Sequence, residues 1–296
     1  MKLLLIAILA TVAMPIYTQT TTNADRILYG AVTVDTLLQP PYSLWYNTNY
    51  DTYTPTKSVV ITLKKNNWKG YQFTIYFGSW CGDSKREVPR MLKVLNSIGI
   101  PSSQVTLIAL GGRDSLYKQS AQRTEDAYGI YRVPTLIITK HGNLLGSINE
   151  SPVITTEHDM LAIIQGKAYT PNYASYNTII KWQNEGILTS PNVSAVTLAN
   201  SLKYVVKSES ELNTAGYVLQ SKGYLKEALK VLKINYNLYP TSANVCSSLG
   251  DAFIKNNEPA NALQLLTLAI GYSKDNPTAL AEILELWYKA KKMDTK

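Results

Sequence analysis

Cysteine and histidine are the scarcest chemistry-bearing residues of this sequence. Its 296 residues contain two of each, namely Cys81, Cys246, His141 and His158. Two cysteines are too few for the disulfide framework that stabilises small secreted domains. Two histidines in separate segments, without a cysteine cluster, lack the ligand spacing of a zinc site. We therefore predict no metal site.

The sequence also lacks a concentrated charge of either sign. Its formal net charge of +8 is spread along the chain, and the densest basic runs are Lys64–Lys65 and residues 289–292. No basic stripe with interleaved aromatic residues is present, so the sequence does not favour a nucleic-acid-binding protein. It contains neither a phosphate-binding glycine loop nor a nucleophile-elbow serine. We predict no cofactor and no nucleic-acid partner.

Long hydrophobic runs are absent except at the start of the sequence. Lys2 is followed by an apolar run from Leu3 to Met14, which ends close to Pro15. This pattern is typical of a secretory signal peptide, and the run is shorter than the roughly 20 apolar residues that span a bilayer. We assign residues 1–20 to the signal peptide and expect a periplasmic or secreted protein without a lasting membrane anchor. In such an oxidising compartment, a rare cysteine is more typical of a reactive thiol than of a structural one.

Residues 21–67 form a tyrosine- and proline-rich segment, which we interpret as an N-terminal extension partly wrapped on the domain that follows. Its prolines interrupt regular elements, and the apolar run at 58–63 fits either a strand or a helix. General burial tendencies favour the interpretation that its aromatic residues pack on the domain or lie on a loop surface. A ligand-binding patch is the alternative. These aromatic residues are Tyr42, Trp45, Tyr46, Tyr50 and Tyr53.

Residues 68–167 show the alternation of strand and helix patterns that indicates an α/β sandwich. The stretch YQFTIYFG predicts a buried strand, and QVTLIAL predicts a second one. Between them, the apolar spacing in 83–100 predicts a helix that contains Pro89. The polar segment 115–128 is interpreted as helical. Two strands joined by a His-Gly-Asn turn and a closing helix ended by Gly166 complete the unit.

After the α/β unit the sequence predicts helices only. Residues 168–208 contain two helical patterns and are interpreted as a helical linker. In residues 209–296, three pairs of residues recur at a spacing of 34 positions, namely Gly216 and Gly250, Ala228 and Ala262, and Leu232 and Leu266. This period and the recurring small residues resemble the tetratricopeptide (TPR) repeat. The resemblance implies a helical-repeat domain that recruits a protein partner, with two clear units and a capping helix.

The stretch FGSWCGDSKREVP, together with a later VPT, resembles the thioredoxin superfamily, and most closely its TlpA/ResA-like branch. The positions that match the active-site segment of that branch are Trp80, Cys81, Lys85, Arg86, Glu87 and Pro89. Val133 and Pro134 match the family's cis-proline loop. The resemblance spans residues 70–167 and implies an α/β thioredoxin-like sandwich. Together with the tetratricopeptide resemblance, it implies that this sandwich is followed by an all-α helical-repeat domain.

The resemblance implies a role for each matching residue. Cys81 would begin a helix, where free backbone N–H groups favour the thiolate that attacks disulfides. Trp80 would cover the sulfur, while Val133 and a cis Pro134 would shape the groove that accepts an extended peptide. Glu87 matches an acid–base carboxylate, although a solvated helix residue is an equal alternative where no second cysteine needs deprotonation.

Two departures from the family pattern alter the expected chemistry. Ser84 stands where the resolving cysteine belongs, and a hydroxyl cannot attack a mixed disulfide. Ile75 replaces the buried aspartate that serves that second cysteine. The sequence favours a monothiol oxidoreductase, in which Cys81 forms mixed disulfides with protein or small-thiol partners and Ser84 can donate a hydrogen bond to the thiolate. The alternatives are a redox-inactive thioredoxin-fold scaffold and, for Cys246, either a resolving thiol or a packed core residue.

Overall fold

The computed structural model describes residues 27–295, so the predicted signal peptide lies outside the described residues. In this part of the chain, a five-stranded sheet has the order β1-β3-β2-β4-β5, in which only the β2–β3 pair is parallel. The strands are β1 (Gly30–Val32), β2 (Tyr71–Phe77), β3 (Val105–Ala109), β4 (Thr135–Lys140) and β5 (Asn143–Asn149). This mixed sheet confirms the predicted α/β region and its strands.

Helices pack around the sheet and form the whole C-terminal region of the described chain. The helices of the α/β region are α1 (Val34–Leu37), α2 (Ser43–Thr52), α3 (Lys57–Lys64), α4 (Gly82–Ser97) and α5 (Thr156–Ile164). Those that follow are α6 (Ser175–Asn184), α7 (Ala195–Leu202), α8 (Glu209–Ser221), α9 (Leu225–Leu238), α10 (Ala243–Lys255), α11 (Pro259–Tyr272) and α12 (Pro277–Asp294). The predicted change from an α/β region to a helical region is confirmed.

The N-terminal segment packs into the same hydrophobic core as the sheet. β1 pairs antiparallel with β3, and the undecided apolar run is part of α3, which buries Val59 and Leu63 one helical turn apart. The five aromatic residues named above all contribute to this core or pack against it, so packing accounts for them. A groove of about 610 Å³ lies beside Tyr46 and Tyr50, where the ligand-binding alternative stays a prediction.

The polar segment 115–128 is not the helix that we predicted. It contains two short 3-10 turns, at Asp114–Leu116 and Thr124–Tyr128. Backbone hydrogen bonds instead close a loop after β3: the Gly111 N–H donates to the Gln119 carbonyl at 2.9 Å, and the Lys118 N–H donates to the Gly111 carbonyl at 2.8 Å. The prediction was wrong because the segment has polar character without the apolar periodicity that holds a helix on a core.

The C-terminal helices pack as hairpins whose closest contacts repeat with the sequence. A Cβ atom added at Gly216 would lie 2.6 Å from Leu232 Cγ, and one added at Gly250 would lie 2.7 Å from Leu266 Cγ. The two recurring glycines therefore allow α8 to approach α9, and α10 to approach α11, in the same way. The spacing of 34 positions corresponds to one pair of helices.

The helical region shares a core with the α/β region. Tyr131, which precedes β4, belongs to a buried cluster with Tyr176 of α6, Leu212 of α8 and Val231 of α9. The Tyr131 and Tyr176 rings meet edge to face, with centroids 5.0 Å apart. This shared core fixes α8 beside the loops that follow β3 and precede β4.

Candidate functional site

The connection between β2 and α4 places Cys81 at the start of a long helix. Cys81 is the N-cap residue of α4 in an extended conformation, with φ −90° and ψ 127°, and its side chain is partly exposed. Val88, Met91 and Leu95 bury one face of α4 against the sheet. Because the first backbone N–H groups of a helix have no partner within it, they lie where a negative charge on the sulfur is favoured.

The structure brings Cys81 and Val133-Pro134 together. The peptide bond between Val133 and Pro134 is cis, and the thiol of Cys81 donates a hydrogen bond to the Val133 carbonyl oxygen at 3.3 Å. A carbonyl oxygen accepts from a thiol but repels a thiolate, so this contact belongs to the protonated state. On losing its proton, the sulfur would need hydrogen-bond donors or cations elsewhere.

Trp80 forms one wall of the site. Its indole N–H donates to the Leu110 carbonyl at 3.0 Å, and its ring lies 5.9 Å from the ring of Tyr117. A Cβ atom at Gly78 or Gly112 would come within 2.6 or 2.8 Å of the indole. These two glycines therefore allow the indole to lie against the backbone on both sides.

Ser84 bonds the backbone of the loop before α4 rather than the sulfur of Cys81. Its side chain is buried, and its hydroxyl oxygen accepts a hydrogen bond from the Gly78 N–H at 3.1 Å. Among the hydrogen bonds of residues 27–295, none joins Ser84 to Cys81. The hydroxyl therefore fixes the loop that carries Trp80 and Cys81.

Glu87 is also buried and is held by two arginines. Its Oε1 atom accepts from Arg86 Nε at 2.7 Å and from Arg90 NH1 at 3.1 Å, and Arg86 also pairs with Asp83 at 2.8 Å. Glu87 is thus part of an ion-pair network on α4. Within the described part of the chain, no hydrogen bond links its carboxylate to Cys81.

Lys118, on the loop after β3, is a site residue that sequence reasoning missed. The residue is 5% exposed, and its Nζ donates to the Tyr131 carbonyl at 2.7 Å. Burial, together with the nearby Arg132 guanidinium, lowers the pKa of Lys118 to about 7, while charge on Cys81 acts in the opposite direction. No local pattern marks this lysine, because its burial depends on a loop whose course is set by tertiary contacts.

Arg132, next to Val133, connects the cis-proline loop to the helical region. Its guanidinium pairs with Glu150 at 2.8 Å and bonds the Ser210 hydroxyl, at the start of α8, at 3.1 Å. At the other end of α8, Gln119 Nε2 donates to the Ser221 carbonyl at 3.2 Å. Both loops around Cys81 are thus anchored to the same helix.

Cys246 lies elsewhere in the molecule. It is buried in α10, in a cluster made by helices α9 to α12, whereas Cys81 belongs to a cluster with Tyr76, Leu110 and Ile137 of the α/β region. Burial raises the pKa of Cys246 to about 11. Cys246 therefore packs as a small apolar residue, and the structure does not bring it to Cys81.

Two features are absent from the described part of the chain. In residues 27–295, no helix combines the length and apolar character needed to cross a membrane. The same residues contain no group of three or more acidic, cysteine or histidine side chains arranged to hold a metal ion.

No protein-family model matches the chain, and no curated protein matches it either.

Proposed function

We propose that this chain is an extracytoplasmic thioredoxin-like protein whose Cys81 forms mixed disulfides with protein or small-thiol partners. One observation carries the proposal: Cys81 occupies the N-cap position of α4, is partly exposed, and its sulfur lies 3.3 Å from the carbonyl oxygen that precedes the cis Pro134. The helix N-terminus favours a thiolate. The bent loop presents backbone groups to which an extended peptide can bind.

The finer fold assignment belongs to this proposal. A parallel β2–β3 pair joined by α4, an antiparallel β4–β5 hairpin followed by α5, and a cis-proline immediately before β4 together resemble the thioredoxin arrangement. Helices α8 to α11, with their repeated glycine–leucine contacts, resemble two tetratricopeptide units. The two resemblances support a redox site attached to a protein-binding region.

The proposed reaction is a thiol–disulfide exchange. The Cys81 thiolate attacks one sulfur of a partner disulfide, the partner's S–S bond breaks, and a new S–S bond joins that sulfur to Cys81. The second partner sulfur leaves as a thiolate. Because Ser84 has no thiol, an external thiol must attack the mixed disulfide to release Cys81.

We propose that the helical region recruits the protein partner. A groove of about 520 Å³ lies between the loop after β3 and helices α8 and α10, lined by Ser115, Tyr117, Tyr217, Gln220, Ser221 and Lys255. Since Tyr117 also packs against Trp80, a partner bound in this groove would lie beside the residue that precedes Cys81.

A redox-inactive scaffold is the second candidate. It is favoured by the environment of two residues: the Ser84 hydroxyl bonds the Gly78 backbone, and Glu87 is bound by Arg86 and Arg90. Neither side chain assists the sulfur in these positions. A scaffold would keep the groove and would not need a reactive Cys81.

The test is adduct formation with oxidised glutathione, measured by mass spectrometry after peptide mapping. We expect one glutathionyl group on Cys81 in the wild-type protein and none at that position in Cys81→Ser. Cys246→Ser is the matched control. It should form the adduct like the wild type, because the Cys246 thiol of the wild type is buried and protonated and does not react. An unmodified Cys81 in folded wild-type protein would favour the scaffold instead.

A further inference from the structure

Lys118 combines two energetically unfavourable features, one of its backbone and one of its side chain. Its backbone lies in the left-handed region, with φ 54°, which costs energy for a residue other than glycine. Its amine is buried, and burying a lysine is costly unless a partner compensates. Such features are concentrated at functional sites.

Two sets of contacts relate Lys118 to Cys81. Their chain neighbours meet, because the Tyr117 ring lies 5.9 Å from the Trp80 ring. In addition, both side chains bond one backbone segment: Lys118 Nζ bonds the Tyr131 carbonyl at 2.7 Å, and Cys81 Sγ bonds the Val133 carbonyl at 3.3 Å. The amine and the thiol therefore face the same short stretch of chain.

The hydrogen bonds of the Lys118 amine are incomplete. An ammonium group carries three donors, and among the described residues the Tyr131 carbonyl is the only acceptor that Nζ contacts. The titratable and charged groups around this amine come from the loop after β3, the segment before β4, the end of β5 and the start of α4. They are Tyr117, Tyr131, Arg132, Glu150 and Cys81.

The nearby anion, Glu150, is already engaged. It pairs with Arg132 at 2.8 Å and also accepts from the Tyr173 hydroxyl. Tyr117 and Tyr131 are phenols whose pKa values burial raises above the ordinary one, so they stay neutral near neutral pH. Cys81 is therefore the group that can offer Lys118 a new negative charge.

We propose that Lys118 is a positioning residue for the Cys81 thiolate. In the reactive state of the pair, Lys118 Nζ carries a proton and Cys81 Sγ carries the negative charge. To reach it, the S–H bond breaks and an N–H bond forms, and no electrons are exchanged with an oxidant or reductant. The inference rests on the proposed mixed-disulfide chemistry and names the residue that tunes it.

The pair has a direct consequence for the pH dependence of Cys81. Burial brings the pKa of Lys118 down to about 7, so its protonation changes in the pH range where the protein would act. A charge on either partner stabilises the opposite charge on the other, and this linkage is reciprocal. A protonated Lys118 therefore stabilises the thiolate of Cys81.

The experiment compares Lys118→Met with the wild type in the rate of Cys81 alkylation by iodoacetamide, followed by peptide mass spectrometry from mildly acidic to alkaline pH. Methionine keeps an unbranched apolar side chain without the amine. We expect the rate at neutral pH to fall about tenfold, which corresponds to a shift of one pH unit in the profile. At alkaline pH the two rates should converge, because both thiols are then ionised.

The matched control is Lys230→Met. Lys230 also bonds backbone carbonyls, at 2.6 Å to Val193 and 3.2 Å to Ser190, and burial also lowers its pKa, but it lies on α9. Its removal should leave the pH profile of Cys81 unchanged. If the profiles of Lys118→Met and the wild type coincide while wild-type Cys81 still forms the glutathione adduct, the inference fails and the proposed function stands. Without that adduct, the proposed function itself fails.

A second measurement keeps the inference testable if Lys118→Met does not fold. Nuclear magnetic resonance titration of the Lys118 side chain in Cys81→Ser should give a midpoint at lower pH than in the wild type, since charge on Cys81 raises the pKa of Lys118. An unchanged midpoint would show that the two groups are not coupled, and Lys118 would then have no part in holding the thiolate.

Discussion

Ser84 and Cys81 lie one turn apart at the start of α4, and their side chains bind different backbone groups. Cys81 bonds the Val133 carbonyl, while Ser84 accepts from the Gly78 N–H at 3.1 Å. Residues three apart on a helix have neighbouring side chains, and Cys-X-X-Cys motifs have this spacing. We expect Ser84→Cys to attack the Cys81–glutathione adduct and release glutathione, leaving an intramolecular disulfide. Mass spectrometry of the non-reduced protein measures both products.

Ser84→Ala is the control for this substitution. It also removes the hydroxyl that accepts from Gly78, which costs about 1–3 kcal/mol when the buried N–H is left unpaired, but it adds no thiol. The alanine variant should therefore be less stable in urea and keep the glutathione adduct as long as the wild type does. A Ser84→Cys protein that also keeps the adduct would show that position 84 cannot reach the mixed disulfide.

At the residue scale, the sequence was informative where the chemistry is local. The proximity of Cys81 to Val133-Pro134 could be predicted, because the resemblance of their two short motifs to the thioredoxin superfamily implies it. Lys118 could not be predicted. Its burial results from backbone pairing between Gly111 and Gln119 and from a carbonyl acceptor on a different loop, and neither contact leaves a pattern in neighbouring residues.

At the scale of elements, Glu157 joins the N-terminal segment to α5. Its carboxylate accepts from the Tyr53 hydroxyl at 2.7 Å and from the Thr56 N–H at 2.9 Å. Burial alone would raise the pKa of Glu157, but the hydrogen bonds from Tyr53 and from backbone N–H groups outweigh it, so the pKa lies below its ordinary value. The ionised form therefore stabilises the fold.

Glu157→Gln should lower the free energy of unfolding at neutral pH by about 1–2 kcal/mol, because hydrogen bonds to a charged acceptor are replaced by bonds to a neutral one. The carboxylate's contribution is present above the ordinary glutamate pKa and is lost as the pH falls through the lower folded-state pKa. The difference from the wild type should therefore shrink in acid. Urea unfolding at neutral and acidic pH measures it.

Glu185→Gln is the corresponding control, since the ion pair of the Glu185 side chain with Lys181, at 3.9 Å, is exposed. Exposed pairs contribute little to stability, so this variant should unfold like the wild type at both pH values. If the free energies of unfolding of Glu157→Gln and the wild type differed by the same amount at neutral and acidic pH, ionised Glu157 would not be the source of the stabilisation.

Elements with a clear period were predictable, and those without one were not. α4 and the β4–β5 hairpin follow apolar spacing and turn residues that identify them. The run at 58–63 was undecided because a short apolar run fits a strand as well as a helix; packing of Val59 and Leu63 on the core selects the helix. Segment 115–128 has no period, and its loop depends on contacts with other parts of the chain.

At the scale of the whole molecule, the helical region both follows the α/β region and supports its site. Gln119 and Arg132, on two loops around Cys81, bond opposite ends of α8 at Ser221 and Ser210. The repeat period predicted the helix hairpins, because it reflects contacts within the repeats. It could not predict this docking, since single hydrogen bonds from an amide and a guanidinium group have no period.

The shared core predicts which part of the helical region is coupled to the site. Leu212 of α8 is fully buried in the cluster that contains Tyr131, whereas Leu266 of α11 is fully buried in the separate cluster of α9 to α12. Each leucine-to-alanine substitution should cost about 2–5 kcal/mol locally. We expect Leu212→Ala to reduce hydrogen-exchange protection in β4 as well as in α8, as measured by mass spectrometry.

Leu266→Ala is the matched substitution, equal in chemistry and burial but placed in the other cluster. Its effect on hydrogen exchange should be confined to α9, α10, α11 and α12, because terminal helical units contact mainly their neighbours. Cys81 alkylation should then change in Leu212→Ala, where the loop held by α8 loosens, and not in Leu266→Ala. Equal loosening of β4 by both substitutions would mean that the two clusters unfold together, and the support of the thiol site could no longer be assigned to α8.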